Sequence, residues 1–181
     1  MFTSFKRPSK KRIEVSLKHI DLAIVNALRR IGICEIPNVA LDIDITKADH
    51  PDATVTTNTT PLNNEFLLHR ISLIPFCFSE EEIENFDPSS YTFQLHVKNT
   101  THTIQLVTSK DIQIKDHPSS LRDRIFPANP ITKDHILITK LKPQEELDIT
   151  FKLSKGIAKK HSCYCPVSLC SYTYTDDKEP T

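Results

Sequence analysis

Glycine is scarce in this sequence, which has two glycines against twelve prolines among its 181 residues. Gly32 and Gly156 stand far apart, so the chain has no glycine-rich loop of the kind that cradles nucleotide phosphates. It also has no glycine turn on which an oxyanion pocket could be built. Mechanisms that depend on either device are therefore excluded.

Long apolar runs are also missing. No stretch approaches the roughly 20 apolar residues of a membrane-spanning helix, and the first nine residues lack the apolar segment of a signal peptide. The five cysteines are odd in number, which does not fit a secreted disulfide framework. We therefore expect a soluble, intracellular protein.

The net charge is zero, which argues against a nucleic-acid-binding surface over the whole molecule. The charges are nevertheless clustered, since residues 80–84 hold an acidic patch and residues 6–12 form a basic arm with Lys6, Arg7, Lys10, Lys11 and Arg12. The arm predicts a contact with nucleic acid, a nuclear address, or a solvated and frayed terminus. The frayed terminus is the interpretation we favour.

The first 46 residues predict a strand, a helix and a second strand. Apolar and polar residues alternate over residues 13–17, which is typical of a half-buried strand, and again over residues 39–45. Asp21 is a suitable helix cap, and Pro37 ends the helix because the residue before a proline is pushed out of helical geometry. The helix has an apolar face with a three-residue spacing, made of Leu22, Val25, Leu28 and Ile31.

The rest of the chain predicts few helices and many strands, which makes α+β the fold class. A helix is expected from Thr60-Pro61 up to Pro75, with its apolar face at Leu62, Phe66 and Ile71 or Leu73. Residues 79–90 are expected to form an acidic loop or a short helix. Strands are expected around residues 93–97, 104–106, 112–114, 136–138, 147–153 and 167–174.

Two pairs of side chains have both a chemical and a structural interpretation. Glu65 and His69 share a helix face and form either an acid–base pair or an ion pair at a surface or interface. The ion pair is favoured, because no nucleophile motif accompanies them. Arg29 and Arg30 are expected either to interact with the dipole of their helix or to reach carboxylates on a partner chain.

Four potential zinc ligands lie close together in the sequence: His161, Cys163, Cys165 and Cys170. Zinc sites usually space paired cysteines by two to four residues, so that the chain can turn between the ligands. The one-residue gap between Cys163 and Cys165 would pull the ligands apart in an extended chain. Buried thiols are therefore the favoured interpretation, and Cys34 and Cys77 are expected in the core.

Three blocks of the sequence follow one another in a characteristic order. The first runs from Asp21 to Ile31 and continues through Glu35-Ile36-Pro37 and Val39–Asp42; the second is Asn58–Pro75; the third is Lys155–His161 with Pro166. In this order they resemble the alpha-like subunits of multisubunit DNA-directed RNA polymerases. That family includes the bacterial alpha N-terminal domain, its archaeal counterpart and the third-largest subunit of eukaryotic RNA polymerase II.

The resemblance implies a discontinuous dimerisation domain at residues 1–46 and 167–181, with a β-rich domain inserted at residues 47–166. It implies an assembly subunit that is not itself an enzyme and needs no cofactor, metal or membrane. The helix face Leu22, Val25, Leu28 and Ile31 would pair with a smaller alpha-like subunit. Small accessory subunits would join the complex, and DNA would be contacted only indirectly. Contacts with the two largest subunits are implied for Asn26, Arg29, Arg30, Glu65, His69, Arg70, Lys155, Lys159, Lys160 and His161.

The sequence departs from the family pattern in two places. Relatives often have a cysteine-rich cluster in the inserted domain, whereas residues 76–91 hold only Cys77, so no metal is expected there. The family's chain also continues beyond the strand expected at residues 167–174, so that another chain or a longer sequence would complete the domain. Both departures suit a divergent viral polymerase, located in the cytoplasm or virion, as well as a nuclear cellular one. The alternative function is a nucleic-acid-binding module that uses the basic arm and the Cys/His cluster.

Overall fold

A computed structural model describes residues 2–9, 12–44 and 50–174 of the chain. Their mixture of helices and sheets confirms the α+β class. The helices are α1 (Leu22–Cys34), α2 (Asn64–Ser72), α3 (Glu80–Glu84) and α4 (Ser119–Ile125). The strands are β1 (Phe2–Ser9), β2 (Arg12–Leu17), β3 (Pro37–Ala40), β4 (Ala53–Asn58), β5 (Phe93–Lys98), β6 (Gln105–Thr108), β7 (Ile112–Ile114), β8 (Leu137–Leu141), β9 (Glu146–Phe151) and β10 (Ser154–Ile157). Of the helices in these ranges, none has both the length and the apolar character to cross a membrane.

The core is built on an antiparallel sheet with the strand order β4-β9-β5-β7. Alternate residues of β9 are buried, which places Leu147, Ile149 and Phe151 in the core. Phe151 pairs in register with Phe93 of β5, and their rings stack with centroids 5.3 Å apart. The ring of Phe76 packs edge-on against Phe93. Since each large apolar side chain contributes about 1.5–3 kcal/mol when fully buried, this sheet supplies much of the stability.

Helix α2 packs against this core through a face that differs from the predicted one. Leu67, Leu68 and Ile71 are buried, whereas Phe66 is exposed over 63% and Leu73 over 62% of its surface. Of the predicted face, Ile71 is buried and Leu62 is partly buried against the core. The assignment of Phe66 and Leu73 to the buried face is wrong.

The helix also begins later than predicted. Thr60-Pro61 does not begin it, because the carboxamide oxygen of Asn58 accepts hydrogen bonds from the backbone N–H and the hydroxyl of Thr60, at 3.0 and 2.7 Å. The Asn58 Nδ2 also donates to the carbonyl of Leu62 at 2.8 Å. These bonds hold residues 58–62 in a turn, so α2 begins only at Asn64.

Most of the predicted strands are confirmed. β5, β6, β7, β8 and β9 lie at or beside the expected positions, and α3 occupies the acidic segment predicted as a loop or short helix. The strand expected at residues 167–174 is wrong: these residues, all within the described part of the chain, form no hydrogen-bonded strand. A strand needs a neighbour to pair with, and residues 167–174 have none within the described ranges.

The N-terminal arm is a β-hairpin. β1 pairs with β2 in an antiparallel two-stranded sheet, so Phe2–Ser9 is not a frayed terminus. The strand predicted at residues 13–17 is confirmed as β2, but it is more exposed than expected, with Ile13 exposed over 60% of its surface. Among the described residues the two strands pair with each other and with no further strand. Lys10 and Lys11 lie outside the described residues.

Strand β3 connects α1 to the core. Val39, Ala40 and Leu41 are all but fully buried, and β3 pairs antiparallel with β10. The predicted strand at residues 39–45 is thus present in part, since β3 ends at Ala40 and Ile45 lies outside the described residues. The pairing places the segment after β10 next to the end of α1.

The predicted burial of two cysteines is wrong. Cys77 is exposed and Cys34 is only partly buried. Phe76 takes the inward position instead, with 5% of its surface exposed, and the next side chain along an extended segment faces away from the core.

Candidate functional site

The apolar face of α1 is open to solvent. Leu22 and Leu28 are each exposed over 45% and Ile31 over 46% of their surface, and Val25 is half-buried. No residue of this helix is fully buried. The helix is well formed locally, because the Asp21 carboxylate accepts a hydrogen bond from the N–H of Ala23 at 2.8 Å. A capped helix therefore presents an apolar stripe that is in large part exposed.

Arg29 and Arg30 lie in the middle of this helix. The Nε and Nη2 atoms of Arg29 donate to the side-chain oxygen of Asn26 at 3.1 and 3.0 Å, which fixes the direction of the guanidinium. Arg30 is exposed. Because α1 continues to Cys34 and its last turn holds no basic residue, the interaction with the helix dipole proposed for the two arginines is wrong: the dipole effect is confined to the last turn.

The three charged residues proposed on α2 have different surroundings. The guanidinium of Arg70 donates to the carbonyls of Ile138 and Leu137 at 2.7 and 3.1 Å, so it holds α2 to β8. Glu65 and His69 are exposed, and the structure of the described residues shows no ion pair between them. Both side chains face solvent, so an ion pair with a group across an interface stays a prediction.

The segment after β10 packs against the end of α1. The N–H of Lys159 donates to the carbonyl of Cys34 at 2.9 Å, and its ammonium lies 4.0 Å from the carboxylate of Glu35. The ammonium of Lys155 donates to the carbonyl of Glu84 at 2.9 Å. Lys160 is exposed. The third sequence block thus lies directly beside the helix of the first block.

Tyr164 fixes this segment to the core. It is 3% exposed, and its hydroxyl lies 2.6 Å from the Ser154 hydroxyl and donates to Oδ2 of Asp42 at 3.1 Å. Burial, more than any other cause, raises the pKa of Tyr164 to about 12. A Cβ atom on Gly156 would lie 2.5 Å from the Tyr164 ring, which explains why a residue without a side chain stands at this position. Sequence reasoning missed both Tyr164 and Asp42, because no spacing signal links positions so far apart.

His161 and Cys163 come together with Asp42. One potential ligand atom from each side chain lies within 4.8 Å of the other two. The Nδ1 of His161 is 3.8 Å from Oδ1 of Asp42 and accepts a hydrogen bond from the N–H of Cys163 at 3.3 Å. Burial and the nearby Asp42 carboxylate raise the pKa of the Cys163 thiol to about 12.

The other two members of the predicted Cys/His cluster lie elsewhere. The thiol of Cys165 lies 3.0 Å from the carbonyl of Val167 and 3.6 Å from that of Ile33. Cys170 lies beside Gly32 of α1. The four-ligand set His161, Cys163, Cys165 and Cys170 is therefore not a group of potential metal ligands in the described residues.

A shallow cavity of about 440 Å³ opens beside Tyr164. Its walls mix carboxylates with ammonium groups, and they include Asp42, Asp44, Asp52, His50, Lys155 and Lys160. Of the side chains proposed for function from the sequence, Lys155 and Lys160 line this cavity, and the others lie on α1, α2 and the rest of the segment after β10.

Comparisons with known proteins agree with this arrangement. A family model, the RNA polymerase Rpb3/Rpb11 dimerisation domain, matches residues 14–145. The chain is similar to subunit 3B of DNA-directed RNA polymerases IV and V of Arabidopsis thaliana, with 31% identity over 179 residues, 89% of this chain and 53% of the relative.

Two other relatives show the same pattern. Subunit RPB3 of DNA-directed RNA polymerase II of Schizosaccharomyces pombe is 29% identical over 181 residues, which cover 92% of this chain and 57% of the relative. Subunit RPAC1 of DNA-directed RNA polymerases I and III of Homo sapiens is 27% identical over 187 residues, which cover 91% and 51%. The chain spans about half the length of the curated relatives it matches.

Proposed function

The chain belongs to the RNA polymerase Rpb3/Rpb11 dimerisation domain family, and on this basis we propose that it is a non-catalytic assembly subunit of a DNA-directed RNA polymerase. The observation that carries the proposal is α1, which has an apolar face and no fully buried residue. Exposed apolar patches of this kind mark surfaces that a partner covers. The synthesis of RNA on DNA would be the activity of the whole complex.

In this proposal Leu22, Val25, Leu28 and Ile31 pack against a smaller alpha-like subunit. Each of these side chains is at least partly exposed. A partner helix that covered them would stabilise the complex by about 25 cal/mol for each Å² of apolar surface removed from water. Obligate interfaces are apolar in this way, like a core divided between two chains. Residues 1–46 and 167–181 would together form the dimerisation domain, with residues 47–166 inserted.

The two largest polymerase subunits would meet the polar side chains around this seam. Arg30, Glu65, His69 and Lys160 are exposed and make no side-chain hydrogen bond or ion pair within residues 2–9, 12–44 and 50–174, which leaves them available. Arg29, held by Asn26, presents a guanidinium suited to a carboxylate on another chain. Arg70, Lys155 and Lys159 already bond within the chain, so their contribution would be chiefly to position these surfaces. Small accessory subunits would complete the assembly, in the nucleus of a eukaryotic cell.

Affinity purification of the tagged chain from its own cells tests this function. We expect a smaller alpha-like subunit and both of the largest polymerase subunits to be recovered together with it. Recovery of none of them would contradict the proposal. Binding of the purified chain alone to duplex DNA, with an affinity that falls steeply as salt rises, would instead favour a nucleic-acid-binding module that uses the basic arm and the Cys/His cluster.

A further inference from the structure

We propose that Asp42, His161 and Cys163 form a binding site for a single zinc ion. Zinc accepts the oxygen of a carboxylate, the nitrogen of an imidazole and the sulfur of a thiolate, in tetrahedral coordination. The three potential ligand atoms lie within 4.8 Å of one another. This site differs in its residues from the four-ligand cluster that the sequence suggested, and it does not depend on the proposed function.

The imidazole of His161 offers a nitrogen that can bind a metal. The N–H of Cys163 donates to Nδ1 of His161 at 3.3 Å, and an atom that accepts a hydrogen bond carries a lone pair. This nitrogen faces Oδ1 of Asp42 at 3.8 Å. Nδ1 has one lone pair, so a cation that binds it takes the place of the long hydrogen bond from Cys163. The nearby Oδ1 of Asp42 then supplies a second electron pair to the same cation.

The distance between these donors suits a metal. With Zn–N and Zn–O bonds of about 2.0–2.2 Å and tetrahedral angles, two ligands lie about 3.4 Å apart. Nδ1 and Oδ1 are 3.8 Å apart. A small rotation of either side chain would bring them to the spacing of two zinc ligands.

The carboxylate of Asp42 is held in place from behind. The Tyr164 hydroxyl donates to Oδ2, which leaves Oδ1 for the cluster. Groups that orient a ligand in this way belong to metal sites generally, and their loss costs about 10–100-fold in affinity. Tyr164 is itself held by Ser154, so the orientation of the carboxylate does not depend on an exposed side chain.

Zinc is favoured over calcium or magnesium because of the sulfur ligand, since those two ions bind oxygen. On binding, the Cys163 thiol loses its proton to solvent and the thiolate sulfur forms the bond to zinc. A water molecule takes the fourth position, which is accessible because the side chains of Asp42 and His161 are 43% and 41% exposed. The ion would join the segment after β3 to the turn at Ser162–Tyr164.

Titration of the metal-free chain with Co²⁺ tests the site, because cobalt bound to a thiolate has a charge-transfer absorption that cobalt bound to nitrogen and oxygen lacks. We expect this absorption to saturate at one equivalent and to disappear when Zn²⁺ is added. Cys163→Ser should abolish it, whereas Cys165→Ser and Cys77→Ser should leave it unchanged. Asp42→Asn keeps an acceptor for Tyr164 and should weaken binding by at least about tenfold.

The same titrations contain the results that would overturn the proposal. Cobalt binding without the thiolate absorption would show adventitious binding to surface histidines. Absorption that persists in Cys163→Ser, or that is lost equally in Cys165→Ser, would place the metal on other thiols. Circular dichroism of each variant separates loss of metal binding from loss of fold.

Discussion

Gly156 shows how a single residue determines the path of the segment after β10. A Cβ atom at this position would lie 2.5 Å from the ring of Tyr164, closer than any ordinary contact. The buried Tyr164 cannot move away without breaking its bonds to Asp42 and Ser154. Gly156 is therefore required by close packing, and the pairing of β10 with β3 depends on it.

We expect Gly156→Ala to lower the free energy of unfolding by about 1–3 kcal/mol, the usual effect of overpacking a filled site. Gly32→Ala is the matched control: a Cβ atom there would lie 3.9 Å from its nearest neighbour, and alanine is favoured over glycine in a helix by up to about 1 kcal/mol. Urea unfolding of both variants measures the difference. Equal effects of the two substitutions would show that Tyr164 is not the constraint.

At the scale of elements, α3 and α4 are joined by one charged pair. Both terminal nitrogens of Arg124 donate to the carboxylate of Glu82, one of them at 2.8 Å. Glu82 also accepts from the N–H of Ser79 in a capping box. The hydrogen bond with Arg124 and then that with Ser79 lower the pKa of Glu82 from 4.5 to about 2.

This shift predicts a pH dependence of stability. The pKa of Glu82 is lower in the folded chain than in the unfolded chain. The stability that the ion pair contributes is therefore fully present above pH 4.5 and is lost as the pH falls towards 2. The ion pair contributes at most about 1 kcal/mol to the free energy of unfolding. The reason is that the Arg124 side chain is 46% exposed, so solvent screens its charge. The free energy of unfolding of Glu82→Gln, measured over this range, should fall less than that of the native chain. Parallel curves for the two would contradict the assignment.

The elements also show what could be predicted from the sequence. Alternation identified β5 and β9, and the capping Asp21 with Pro37 identified α1, because these signals are local. The buried face of α2 was missed, because Phe66 is as apolar as its neighbours Leu67 and Leu68 and local composition does not show which of them faces the core. The start of α2 was missed because the turn held by Asn58 delays it. The cluster of Asp42 with His161 was missed as well, since β3 and the turn at Ser162–Tyr164 are brought together only by tertiary pairing.

At the scale of the whole molecule, burial is uneven. The sheet around Phe93 and Phe151 is closed and well packed. Apolar side chains outside it are exposed along the described chain, among them Phe5, Leu28, Phe66, Ile131 and Leu169. Exposed apolar side chains of this kind are the surface that a partner would cover in the proposed assembly role.

The most direct test of this account is the binding of the smaller alpha-like subunit to Leu28→Asp. A carboxylate at the centre of the α1 face would be buried without a partner, so we expect binding of the small subunit to be lost. Ile131→Asp is the control, because Ile131 is 88% exposed and lies far from α1 in the sequence, within the proposed inserted domain; it should bind as the native chain does. Retained binding by Leu28→Asp, with the variant folded by circular dichroism, would contradict the assembly role proposed for α1.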